Sequence, residues 1–187
     1  MNSMPPPRTA ALAGLRWPRR ARGATLLEAI AFLGVAAIVT LGAVALFGVS
    51  FRGANAARLN EEINAIATNV RELYSLSGTG GYGALSMMDL YNHGAFPSTL
   101  QATKSGGTVT LTNAWNGAVT LTLSANALPV LTYTNVPKDI CTAVLLSSGN
   151  WVSVSVNDVA RQTTGLTAVQ AAAACSNKAN TVAWGFS

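Results

Sequence analysis

The feature that most limits how this chain can fold is an uncharged apolar run near its N-terminus. Residues 29–49 carry no charged side chain, and Thr40 is their only residue with a hydrogen-bonding side chain. As an α-helix, which rises about 1.5 Å per residue, the run would extend about 31 Å, the thickness of a membrane's hydrocarbon core. It therefore predicts a membrane-spanning helix.

The helical pattern continues beyond this run with a different character. Leu59, Ile63, Ile66, Val70 and Leu73 are spaced alternately by four and three residues, which places them along one stripe of a helix. Ser77 and Gly78 are typical of a helix end. We therefore predict one helix over residues 24–77 whose first half is apolar all round and whose second half packs against the rest of the chain.

The net positive charge of the chain comes entirely from its leader. The formal net charge is +5, and five arginines precede Gly23 without any acid: Arg8, Arg16, Arg19, Arg20 and Arg22. From Ala24 onward seven basic side chains balance seven acidic ones, so we expect no direct nucleic-acid binding by the folded part. The positive-inside rule predicts a cytoplasmic N-terminus and a C-terminal part outside the membrane.

The junction between leader and apolar run carries a family resemblance. Gly23 is followed by Ala-Thr-Leu-Leu-Glu and then by the long apolar helix, which resembles the class III signal of type IV pilins. The resemblance implies cleavage by prepilin peptidase between Gly23 and Ala24, N-methylation of Ala24, and retention of Glu28 for assembly. The 23-residue leader, with Ala24 after the cut, is similar to the type IVb subgroup. The alternative is a one-pass anchor whose Glu28 lies in the headgroup region.

These observations divide the chain into four parts: a leader (1–23), a membrane and filament-core helix (24–51), an amphipathic helix (52–78) and a globular head (79–187). Alternating apolar and polar residues predict strands in the head at 108–112, 118–123, 128–134, 151–156 and 181–186. Asn116-Gly117 predicts the turn between the first two strands. Helices are predicted near 85–91, after Pro137 through 141–146, and at 167–174. The predicted fold is α+β: a long N-terminal helix packed on a largely antiparallel sheet.

The chain has two cysteines, Cys141 and Cys175, both in the part assigned outside the membrane. In an oxidising compartment such a pair is expected to form a disulfide, and paired cysteines in the C-terminal half are also what the type IVb resemblance implies. Two cysteines without nearby histidines make zinc a poor alternative. We predict no metal and no cofactor.

Asp89, His93 and Ser98 contain the residue types of a hydrolytic triad. The sequence around Ser98 lacks a nucleophile-elbow motif. Asp89 and His93, four residues apart, are two possible metal ligands, which are too few for a metal site. We therefore predict no catalytic residue and no enzyme activity. Trp115, Trp151 and Trp184 are interpreted as core or subunit-contact residues, and the strand threonines as a solvated sheet face.

The predicted function is that of a structural subunit of a type IVb pilus, which polymerises through its N-terminal helix into a surface filament for adhesion, aggregation or conjugative contact. Its expected partners are further copies of itself, prepilin peptidase and the assembly machinery of the inner membrane. One alternative is a pseudopilin of a type II secretion system, although the head holds only three acids where pseudopilins often carry acidic calcium loops. A membrane-anchored binding module is a further alternative.

Overall fold

The computed structural model describes residues 25–76, 82, 86–147 and 149–187. The chain forms two compact units, one ending at Ala43 and the other comprising Val44–Ser187. The first helix, α1, spans Leu26–Leu76 and contributes residues to both units. The predicted helix limits, Ala24 and Ser77, and the stop at Gly78 lie outside the described residues.

Among the described residues of the second unit, three further helices and seven strands follow α1. In chain order they are α2 (Met87–Asn92), β1 (Gln101–Ser105), β2 (Thr108–Thr112), β3 (Ala118–Leu123), β4 (Pro129–Pro137), α3 (Lys138–Leu146), β5 (Ser153–Val156), β6 (Val159–Arg161), α4 (Ala168–Ala174) and β7 (Ala179–Gly185). Strands β1 and β6 were not predicted, and β5 begins two residues later than the predicted strand.

The seven strands form one antiparallel sheet in the order β1-β2-β3-β4-β7-β5-β6. The last strand of the chain, β7, is inserted between β4 and β5, so the C-terminal segment closes the centre of the sheet. The predicted fold class, α+β with a long N-terminal helix and an antiparallel sheet, is confirmed.

The two faces of the sheet differ as the alternation of the sequence predicts. Apolar side chains such as Leu111, Val119 and Leu131 are buried in the core. Threonines lie on the opposite face, where Thr120 of β3 pairs with Thr132 of β4. Because residues two apart on a strand share a face, a one-residue slip would move the core residues into water, and this fixes the register.

The second half of α1 supplies its predicted stripe to the same core. Leu59, Ile63, Ile66 and Val70 are buried, and Leu73 is partly buried against the core. Each large apolar side chain buried in this way contributes about 1.5–3 kcal/mol. Packing against the sheet, and not intrinsic propensity, therefore stabilises this part of the helix.

A carboxylate also lies in this interface. Glu62 is buried, and its Oε1 lies 3.3 Å from Nε of Arg58, one helical turn earlier. Tyr133 of β4 is fully buried nearby; burial raises the pKa of its phenol, and the negative charge of Glu62 raises it further. Tyr133 therefore stays neutral at any physiological pH, and Arg58 is the group that balances the charge of Glu62.

Residues 113–117, the Trp115 loop, join β2 to β3. Asn113 is buried; its Oδ1 accepts hydrogen bonds from the amides of Trp115 and Gly117 at 3.0 and 2.8 Å, and its Nδ2 donates to the carbonyl of Thr134 at 2.8 Å. Asn135 Nδ2 donates to the Trp115 carbonyl. The loop is thus attached to the irregular part of β4, where the register shifts between Tyr133 and Val136.

Asn116 and Gly117 have different roles in this loop. Asn116 adopts the left-handed conformation, with φ of 57°. Gly117 is required for space, because a Cβ there would lie 1.9 Å from the carbonyl oxygen of Thr134. Both predicted residues lie in the loop, but the turn itself is formed by Ala114 and Trp115, and Asn116 supplies the positive φ that follows it.

We expect Gly117→Ala to lower the free energy of unfolding by about 3 kcal/mol, because the added methyl group overlaps backbone that β4 holds in place. Asn116→Gly is the matched control: glycine accepts the left-handed conformation without strain, and the change should stay within about 0.5 kcal/mol of wild type. Denaturant unfolding of both variants measures the difference. Equal stabilities would show that the loop can move away from β4.

Candidate assembly site

The candidate assembly site is the beginning of α1. The Thr25 hydroxyl accepts a hydrogen bond from the backbone amide of Glu28 at 3.3 Å, and the Thr25 carbonyl accepts one from Ala29 at 3.1 Å. A threonine in this position satisfies an amide that the first helical turn would otherwise leave without a partner. The helix therefore starts at a defined residue, with Glu28 in its first turn.

The geometry leaves the Glu28 carboxylate available to another molecule. Within the described residues Glu28 takes part in no ion pair, whereas Arg52 and Asp139, at 3.8 Å, and Arg58 and Glu62 do. The two residues at the predicted cleavage site, Gly23 and Ala24, lie outside the described residues. A negative charge in the first turn is favourable for the helix macrodipole.

The helix that follows Glu28 exposes a large apolar surface. Thirteen large apolar side chains between Leu26 and Phe51 are 61% to 80% exposed in the single chain. Among the described residues, one helix, Leu26–Ser75, is long and apolar enough to cross a membrane. Because soluble proteins rarely expose so much contiguous apolar surface, this segment requires lipid or other helices around it.

Glycines lie along this exposed surface. A Cβ added at Gly34, Gly42 or Gly53 would meet nothing within 4 Å. Packing inside the single chain therefore does not account for these glycines. Small residues on a helix allow close approach of a neighbouring helix, and we interpret these glycines as helix–helix packing positions.

The C-terminal half contains the other predicted feature. Cys141, in α3, and Cys175, at the end of α4, form a disulfide with a Cα–Cα distance of 5.9 Å, and both residues are fully buried. The bridge closes a segment that contains β5, β6 and α4. The disulfide loop predicted as part of the fold is present.

The three residues considered for catalysis lie on or just after α2. Asp89 lies on α2, and the backbone amide of His93 donates to the Asp89 carbonyl at 2.9 Å, which is a helix-end contact. Ser98 lies on the segment that follows α2. Within the part of the chain that the structure describes, no group of three or more His, Cys, Asp or Glu side chains is placed to hold a metal ion.

Residues 53–187 match the family model described as PilS N terminal. The chain belongs to the PilS family. Its fold is also that of a solved type IVb pilin from Salmonella typhi, with a TM-score of 0.56 at 22% identity over 68% of this chain and 95% of that one. No curated protein matches the sequence.

The predicted resemblance to type IVb pilins is thus confirmed, and the chain is a type IV pilin structural subunit. Pilins of this family are structural proteins that assemble into filaments, and the exposed apolar helix of the pilin is consistent with membrane anchoring before assembly. The family match begins at Gly53, so the helix start is assigned from its geometry and sequence.

Sequence reasoning missed one cluster on the head of the pilin. The Lys104 ammonium lies 4.3 Å from the centre of the Tyr91 ring and 3.4 Å from Asn92 Oδ1. Tyr91 belongs to α2 and Lys104 to β1, which the sequence did not predict as a strand. No local sequence pattern therefore indicates that Tyr91 and Lys104 are in contact, because only the fold brings them together.

Proposed function

We propose that this pilin polymerises through its N-terminal helix into a type IVb pilus that mediates adhesion, aggregation or conjugative contact between cells. The observation that carries the proposal is the exposed apolar surface of α1 with a single carboxylate, Glu28, in its first turn. In a bundle of such helices the apolar surface is buried against neighbouring copies, and the carboxylate is available to specify their relative positions.

The first step of the proposed pathway is removal of the leader by prepilin peptidase, which cuts between Gly23 and Ala24 and methylates the new N-terminus. The cut removes five arginines and leaves an ammonium group on Ala24. That group on one subunit pairs with Glu28 on a neighbour. Two opposite charges about 4 Å apart attract by about 4 kcal/mol at an intermediate dielectric, before desolvation is subtracted.

The proposed pathway assigns a role to each of the four parts of the chain. Residues 1–23 are the leader, 24–51 the membrane and filament-core helix, 52–78 the amphipathic helix and 79–187 the head. Before assembly the N-terminus lies in the cytoplasm and the head in the periplasm, with the helix in the inner membrane. After assembly by the inner-membrane machinery, the subunit is part of an extracellular filament.

Electron microscopy of sheared surface material, combined with the intact mass of its subunit, tests the proposal. We expect thin filaments whose subunit begins at a methylated Ala24 and contains two hydrogens fewer than the reduced chain. A native chain that begins at Met1 and stays monomeric in the membrane would contradict it.

Cleavage itself is tested by Gly23→Glu. A glycine lets the protease approach the backbone closely, and a glutamate side chain blocks that approach. We expect the variant to keep its leader, which is detected as a larger and more basic protein by mass spectrometry and isoelectric focusing. Gly14→Glu, the same change within the leader but nine residues from the cut, is the control and should be processed normally. Normal cleavage of Gly23→Glu would refute the assigned site.

A further inference from the structure

An open groove of about 440 Å³ lies on the head between the α2 segment and the edge strand β1. Buried Leu100 and Leu111 and half-buried Tyr91 and Phe96 line it, and exposed Ser98 contributes a hydroxyl. Its volume lies within the range of small-molecule sites, and its lining exposes polar groups as well as apolar and aromatic side chains. We refer to it as the Tyr91 groove.

A positive charge stands at the rim of this groove. Lys104 lies on β1, just before the turn of the β1–β2 hairpin. Its ammonium lies over the Tyr91 ring and donates a hydrogen bond to Asn92 Oδ1. Within the described residues no carboxylate lies within 4 Å of it. Lys104 is thus a positioned cation that lacks an acidic partner.

The acid on α2 does not neutralise this cation. Within the described residues Asp89 forms no ion pair with Lys104. A carboxylate supplied by a ligand would therefore meet an ammonium group that has no competing acid at the groove.

We propose that the Tyr91 groove binds a sugar that carries a carboxylate, with the sugar ring against Tyr91 and Phe96 and its carboxylate on Lys104. A pyranose ring presents C–H groups that pack on aromatic rings, and its hydroxyls hydrogen-bond to polar groups such as the Ser98 hydroxyl. An ammonium and a carboxylate form a charge-assisted hydrogen bond, stronger than a neutral one. The charge at the rim favours an acidic sugar over a neutral one of the same shape.

The binding is a property of the single head and does not depend on polymerisation. The experiment therefore uses the full chain, unassembled in detergent micelles, so that its failure is distinguishable from a failure of filament assembly. Methyl β-D-glucuronide and methyl β-D-glucoside, which differ only in the acidic group, are titrated and followed by ligand-observed nuclear magnetic resonance. We expect the glucuronide to bind about 10-fold more tightly than the glucoside.

Two variants separate the groove from a simple surface charge. Lys104→Gln should lower glucuronide affinity to that of the glucoside, whereas Lys178→Gln, an exposed lysine between α4 and β7, should leave it unchanged. Ala102→Phe places a ring in the groove while keeping Lys104, and should abolish binding of both sugars. Thermal unfolding confirms that each variant is folded.

Four results would overturn the proposal. Equal affinity for the two sugars, or no binding at millimolar concentration, would remove the acidic sugar as the ligand. Undiminished glucuronide binding by Ala102→Phe would show that Lys104 attracts anions without the groove. Equally tight binding of N-acetyl-aspartate amide would assign the groove to acidic peptides instead.

Discussion

Replacing Glu28 by valine is expected to abolish filaments while leaving leader cleavage intact. Glu28 lies in the first turn of α1 and has no ion-pair partner within the described residues. In a bundle of helices covered by apolar side chains, the proposed pairing of this carboxylate with the Ala24 ammonium would distinguish one axial position from another. Valine keeps the apolar surface but removes the charge that would specify the axial position of the subunit.

The expected size of the effect follows from the charge pair. If about half of the 4 kcal/mol attraction remains after desolvation, its loss weakens the addition of each subunit about 30-fold. Because every subunit in a filament makes the same contact, the loss is repeated at each addition. Shear preparations examined by electron microscopy measure the filaments, and the intact mass of the membrane-bound subunit measures cleavage.

Glu72→Val is the matched control. Glu72 is an exposed acid on the second half of the same helix, so the substitution removes an equal charge and adds an equal side chain far from the helix start. It should leave filaments in place. Normal filaments in Glu28→Val would contradict the assembly role, and a retained leader would show that Glu28 acts at cleavage instead.

The long helix and its buried stripe could be predicted because both follow from spacing alone. Leu59, Ile63, Ile66 and Val70 recur at helical intervals, and a helix with that pattern has one stable way to bury them. Glu62 is different: its sequence environment indicates a solvated face, but the structure buries it beside Tyr133, a residue about seventy positions away. No local sequence pattern around Glu62 indicates a partner so distant in the chain.

The strands that sequence reasoning missed lack the signal on which it depends. All five residues of β1 are exposed, so its sequence, Gln-Ala-Thr-Lys-Ser, shows no alternation of apolar and polar side chains. Strand β6 has only three residues. Both lie at the edges of the sheet, where pairing with one neighbour stabilises a strand that composition does not indicate. The Tyr91 groove depends on β1 and was missed with it.

The start of α4 shows the opposite case. Thr167 accepts a hydrogen bond from the amide of Gln170, and the Gln170 side chain accepts one from the amide of Thr167. This capping box is a local arrangement of residues three apart, and it marks the helix start in the sequence. Local contacts determine the residue at which α4 begins, whereas the Cys141–Cys175 disulfide holds α4 against α3.

Removing the disulfide is the second change with a large expected effect. In the chain-entropy model, a bridge across 34 residues contributes about 4 kcal/mol to the free energy of unfolding. Helix α4 depends on it strongly, because its seven residues bury only Ala171 and Ala174 besides the cysteine that follows. We expect Cys141→Ala/Cys175→Ala to lose about 4 kcal/mol, measured by denaturant unfolding in detergent, with amide exchange in α4 accelerated first.

Two comparisons assign the loss to the bond and not to the altered core. The wild-type chain treated with a reductant keeps both sulfur atoms and should lose nearly the same stability as the double variant. Thr167→Ala removes the capping hydrogen bond of α4 and should cost only about 1 kcal/mol, because the bridge still holds the helix against α3. If reduction leaves both the unfolding midpoint and exchange in α4 unchanged, packing of α3 on α4 is sufficient, and the disulfide does not position this part of the head.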